Sequence, residues 1–362
     1  MTASAFSTLC LRRMCFWPIA IVLVALSPAV FAEEAPTGVG LARITFTDTT
    51  RPTKAVGSFA GTNDRRLDVM VWYPANVPAG RPVEDVPLAR TNPRPLVVYS
   101  HGTYGTPDNA SHIAIHLARN GYIVAAPAYP LTSKVSFAKL PSAELSDTGN
   151  QPADMRFVID QLLSHPVFGK AIDAKHIGST GISLGAVTSY FLSYGVQTRD
   201  PRIVANAMIA TADPAYAALS FGLGFEGTVH ADVSVPALIF GGTRDVFDST
   251  TGGPYAYYAR LRSPKYHVMI EGAPHYWFSD RDRKPADGKN PDCRFFERNA
   301  PDLVLPLCDE RGGLIDEKRQ KAIVQAVIQT FFDGYLKEDV SSLGRLRRSE
   351  ETFSEVKLVF AD

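Results

Sequence analysis

The chain has no charge bias, little cysteine and no long apolar run. Its 37 basic and 37 acidic residues cancel, so no positive excess exists to grip a phosphate backbone, and nucleic acid is excluded as a partner. Four cysteines in 362 residues are too few for a disulfide-built scaffold. The apolar runs fall short of the roughly 20 residues that a spanning helix needs. No internal repeat occurs, and no linker divides the chain. What is present, 45% hydrophobic and 20% charged residues, suits a globular protein and rules out disorder and collagen-like repeats.

Residues 1–32 stand apart. They hold Arg12 and Arg13 but no acidic residue, then an apolar run over 16–26, Pro28, and the small residues Val30 and Ala32. This pattern predicts a secretory signal peptide cleaved after Ala32, with an uncleaved membrane anchor as the alternative, and so a secreted or periplasmic protein. Cys10 and Cys15 leave with it. Cys293 and Cys308 remain, and an oxidising compartment predicts that they form a disulfide, with two buried free thiols as the alternative.

Beyond a flexible lead over 33–40, alternating residues at 42–47 and 67–72 predict half-buried strands around a turn-rich 57–64. From 96 onward the strands become short, continuous apolar runs: 96–99, 122–126, 177–181, 203–209, 237–240 and 266–270. Such runs suit strands buried on both faces of a parallel sheet. Helical patterns alternate with them over 109–119, 152–163, 184–193, 255–261 and 317–336. The expected fold class is α/β, a mostly parallel, doubly wound sheet with antiparallel N-terminal strands. A single domain is expected over 41–337, with 279–313 as a disulfide-held loop and 338–362 as a polar tail ending in a short edge strand.

The chemistry concentrates at strand ends. Gly181-Ile182-Ser183-Leu184-Gly185 follows an apolar strand and opens a helix, the nucleophile-elbow pattern. A Ser there stands at a helix N-terminus, where free N–H groups favour developing negative charge. A hydroxyl needs a base to become a nucleophile, and His275, after Glu271-Gly272-Ala273-Pro274, lies on a loop past the last buried strand. Asp245, after Gly241-Gly242-Thr243-Arg244, is the first choice to orient that His. Asp213 and Asp248 are its rivals, each with an alternative as a turn or cap residue. The N–H groups of Leu184 and Thr103 are expected to form the oxyanion hole, with Gly102 giving the sharp turn and His101 anchoring the loop. Tyr104, Tyr276 and Trp277 flank these positions and are the candidate substrate-binding residues, with packing under the disulfide loop as the alternative for Trp277.

Val71-Trp72-Tyr73-Pro74-Ala75, Ser100-His101-Gly102, Leu117-Ala118-Arg119-Asn120-Gly121-Tyr122, residues 147–154 and Gly181 to Gly185 carry a resemblance to the α/β-hydrolase superfamily. Within it the sequence is similar to secreted relatives of dienelactone hydrolase, platelet-activating-factor acetylhydrolase and the cutinase-type polyester hydrolases. Dienelactone hydrolases proper use Cys where Ser183 stands. The acetylhydrolase branch takes its acid from a position like Asp213, and the polyester-hydrolase branch from one like Asp245. The resemblance implies a serine esterase acting on a small-molecule or polymeric ester, without metal or organic cofactor. Lipid or polyester hydrolysis is the runner-up; amide cleavage and an inactive binding module rank lower.

Weaker signals yield to bland readings. The G-x-G-x-x-G at 222–227 neither follows a strand nor opens a helix. His112 and His116 lack a third ligand for zinc. Asp280, Asp282, Asp287 and Asp292 are interrupted by Lys284 and Lys289, so a solvated loop is expected there rather than a calcium site.

Overall fold

The computed structural model describes residues 38–362 except 90–91, 135–141, 212, 226–229, 231, 251–254, 281–286, 300, 304 and 310–312. The leader predicted over 1–32 lies outside the described residues. The alternating N-terminal pattern forms β1 (Gly38–Asp48) and β2 (Arg65–Ala75), antiparallel in unbroken register from Gly38 opposite Ala75 to Asp48 opposite Arg65. The strand therefore includes Gly38 to Gly40, which the composition assigned to the lead. A short β3 (Val83–Glu84) lies along the outer edge of β1.

The continuous apolar runs become β4 (Arg94–Ser100), β5 (Ile123–Ala128), β6 (Ile172–Ile182), β7 (Ile203–Ile209), β8 (Ala237–Gly242) and β9 (Lys265–Ile270), all mutually parallel. The sheet order is β10-β9-β8-β7-β6-β4-β5-β2-β1-β3. The helices are α1 (Ser111–Arg119), α2 (Gln151–Ser164), α3 (Leu184–Tyr194), α4 (Pro214–Ser220), α5 (Val246–Thr250), α6 (Tyr255–Tyr258), α7 (Cys293–Asn299), α8 (Pro306–Asp309), α9 (Glu317–Leu336), α10 (Val340–Arg347) and α11 (Ser349–Thr352). Among the described residues, no helix is long and apolar enough to cross a membrane.

Strand side chains alternate between faces. On β4, Val97 and Tyr99 pack into the core formed with α1 and α9, whereas Leu96 and Val98 face the core shared with α2. A third cluster joins α3 and α4 to Met208 of β7 and Ile239 of β8. The stretch after Lys337, set apart on its polarity, belongs to this architecture. It contributes α10, α11 and β10 (Val356–Ala361), which pairs antiparallel with β9. Leu346 and Val356 are the reason, since both are buried in the main core.

One buried ion cluster ties the antiparallel strands to the rest. Arg65 of β2 donates from Nε to Asp154 Oδ1 at 2.6 Å and from Nη2 to Asp147 Oδ2 at 2.7 Å, with all three side chains out of solvent. Both acids come from the 147–154 stretch that leads into α2.

Candidate active site

Parallel strands deliver their following loops to one edge of the sheet, where open α/β folds place their ligands. Here the loops after β4, β6, β8 and β9 bring Thr103, Ser183, Asp245 and His275 to that edge.

Ser183 has φ 56° and ψ −123°, a strained conformation between β6 and α3. The glycines around it are required by close packing. A Cβ on Gly181 would lie 2.2 Å from the carbonyl oxygen of Gly185, and one on Gly185 would lie 2.1 Å from that of Ser100. The turn thus holds the hydroxyl at the head of α3, where the N–H of Leu184 has no acceptor within the helix.

His275 Nδ1 lies 2.8 Å from Asp245 Oδ2. Asp245 has no other freedom: its Oδ1 accepts the N–H groups of Phe247 at 2.9 Å and Asp248 at 3.2 Å, at the start of α5. A neutral His donating from Nδ1 keeps its lone pair on Nε2, the form a base requires. Asp213 is elsewhere. It caps α4 by accepting from Ala215 and Tyr216 N–H groups and pairs with Arg260. Asp248 is buried beside Asp245 and Asp292; burial first, then those two charges, raises its pKa well above the usual carboxylate range.

Gly102 packs against the elbow: a Cβ there would meet the carbonyl oxygen of Ile182 at 3.1 Å and Ser183 Cβ at 3.3 Å. The left-handed residue of this loop is Tyr104, at φ 58°, so the turn expected at Gly102 falls two residues later. His101 accepts the Tyr129 N–H at Nε2 (3.3 Å) and meets the Gly102 carbonyl through Nδ1 (2.8 Å). It fastens the loop beneath Thr103.

Ser183, His275, Thr103 and Leu184 line one cavity of about 520 Å³. Tyr104 and Tyr276 line it too. Trp277 does not: it is fully buried, because the short helical turn after His275 points it inward, and its role is packing. The walls missed in the sequence are aromatic. Phe247 follows the Asp245 turn, and Phe295 and Phe296 come from α7. The Phe247 ring centre is 4.5 Å from that of His275, 5.3 Å from Phe295 and 4.9 Å from Phe296.

The Cys293–Cys308 disulfide is present, so the loop it closes carries a cavity wall. That loop corrects a second expectation. Asp292, grouped with the solvated acids, is fully buried. Its carboxylate accepts the N–H groups of Val246 (3.2 Å), His275 (2.8 Å) and Tyr276 (3.0 Å). Burial and the neighbouring Asp245 push its pKa up to about 7. The only sequence signal was its place next to Cys293.

Neither a family model nor a curated protein matches the sequence. Among solved structures, the chain is similar to a ferulic acid esterase from Streptomyces cinnamoneus. The TM-score is 0.64 at 21% identity, covering 91% of this chain and 98% of that one. Strand order, the elbow at Ser183 and this likeness agree that the chain has the α/β-hydrolase fold.

Proposed function

We propose that this chain is a secreted or periplasmic serine esterase that cleaves carboxylic esters with Ser183 as nucleophile, His275 as base and Asp245 as its orienting acid. One observation carries the reading: a serine at φ 56° heads a helix in the same cavity as a histidine bonded at 2.8 Å to a buried aspartate. Ser183 Oγ attacks the carbonyl carbon as His275 Nε2 takes its proton, and the N–H groups of Leu184 and Thr103 hold the oxyanion. The C–O bond to the alcohol breaks as His275 hands that proton to the leaving oxygen. Water, deprotonated by the same His, then attacks the acyl-enzyme; the acid leaves and Ser183 recovers its proton. The apolar leader and the disulfide support export.

The aromatic wall of Phe247, Phe295 and Phe296 favours a bulky apolar or aromatic acyl group, and the likeness to a ferulic acid esterase supports an aromatic acid. Tyr104, Phe221, Phe295 and Leu303 also favour a second reading, lipid or polyester hydrolysis, because all four line the cavity yet are exposed. Rates on p-nitrophenyl acetate, its long-chain homologues and methyl esters of aromatic acids test both readings. Aromatic or long acyl groups should give a kcat/KM well above that of acetate. A folded protein that hydrolyses none of them refutes the proposal.

A further inference from the structure

The chain that follows the His275 turn comes back to hold it. Asp292 Oδ2 accepts the N–H of Val246 at 3.2 Å and that of His275 at 2.8 Å, while Oδ1 accepts the N–H of Tyr276 at 3.0 Å. Val246 adjoins Asp245, so one carboxylate spans both turns whose separation sets the His275–Asp245 bond. Asn290 strengthens the grip: its Nδ2 donates to the Arg244 carbonyl at 2.7 Å and its Oδ1 accepts the Asp292 N–H at 3.0 Å. The next residue, Cys293, is tied to Cys308.

We propose that Asp292 is a positioning residue, which fixes the His275 turn against the Asp245 turn and so holds the imidazole in line for catalysis. Its effect on rate rests on the proposed Ser183–His275–Asp245 reading; its effect on the histidine does not. A carboxylate is required because three N–H groups converge on its two oxygens. An asparagine has a single acceptor oxygen, and its amide would turn N–H toward N–H. Misplacing a reacting group by about 1 Å can cost on the order of a hundredfold in rate, so a support behind the histidine is felt at the reacting atom.

The test pairs proton NMR with kinetics on the full-length folded protein. The His275 Nδ1 proton, shared with Asp245, should resonate far downfield of the amides. In Asp292→Asn, folded and with its disulfide intact, that resonance should move upfield or broaden away. For the ester substrates above, kcat should fall roughly ten- to a hundredfold with KM changed less than about threefold. An unchanged resonance in the folded variant overturns the proposal, because a carboxylate that only stabilises the fold would leave the imidazole where it was. A displaced resonance in a protein with no esterase activity in either form upholds the positioning role and removes the esterase reading instead. If Asp292→Asn does not fold, Asp292→Ser, small enough to admit a water at the vacated oxygens, carries the same two readouts.

Discussion

His275 and Asp245, thirty residues apart in the chain, meet at 2.8 Å through Nδ1 and Oδ2, and the carboxylate is fully shielded from solvent. The rival acid, Asp213, caps α4 and pairs with Arg260 instead. The two substitutions should therefore separate cleanly. Asp245→Asn should lower kcat by about 10³–10⁴, since the amide stabilises the wrong tautomer and no longer supports the imidazolium. Asp213→Asn should leave kcat within a few-fold and weaken stability by about 1 kcal/mol or less through loss of the partly exposed Arg260 pair, since Asn caps a helix as well as Asp does. Steady-state kinetics and urea unfolding on both proteins check this. The reverse pattern would move the acid to Asp213.

The neighbouring Asp248 predicts a pH effect on stability. Its pKa is raised in the folded protein by burial, and next by the charges of Asp245 and Asp292. Below the unfolded value of about 3.9 both states are protonated and the group has no net effect. As pH rises above that value the unfolded chain loses its proton first, so the wild type loses stability. Asp248→Asn cannot ionise. The variant should match the wild type near pH 4 and show the higher Tm at pH 8. Thermal melts across that range would contradict the assignment if the two curves stayed parallel.

The antiparallel strands depend on Arg65. Replacing it with Met leaves Asp147 and Asp154 buried without the guanidinium that bridges them. Removing one partner of a buried pair costs about 3–5 kcal/mol. Urea unfolding of Arg65→Met should show a loss of that order, and a loss below about 1 kcal/mol would mean that the acids find protons or other partners at little expense.

The disulfide closes a separation of 15 residues, a constraint worth about 3 kcal/mol in the chain-entropy model. It also holds α7, whose Phe295 and Phe296 line the cavity. The double variant Cys293→Ser/Cys308→Ser should thus lower Tm and raise KM for bulky acyl esters more than for acetate. An equal rise for both would show that the loop contributes stability but no selectivity.

Much of this was legible in the sequence because its signals are local. Strand runs, the Gly-x-Ser-x-Gly elbow and the Gly-rich turn before Asp245 each span a few residues and reflect sterics that tolerate little substitution. Other features were not local. α4, with 7 residues, and α5, with 5, are too short to display a helical period. Phe295 and Phe296 line the site, and Asp292 lies behind His275, only because the disulfide loop and the residue before it fold back against the site, and nothing in that stretch marks its inner face. Trp277 misled for a related reason. Adjacent to Tyr276 in sequence, it points the other way from a short helical turn, into the interior.

The central claim is that Ser183 is the nucleophile. Its most direct test is mass spectrometry of the folded protein after treatment with a fluorophosphonate, wild type beside Ser183→Ala. The account predicts one phosphonyl group on the wild type, located on Ser183 by peptide mapping, with ester hydrolysis abolished in step. It also predicts no label and no activity above background in the variant. Labelling at another residue, or ester hydrolysis that survives in Ser183→Ala, would contradict it.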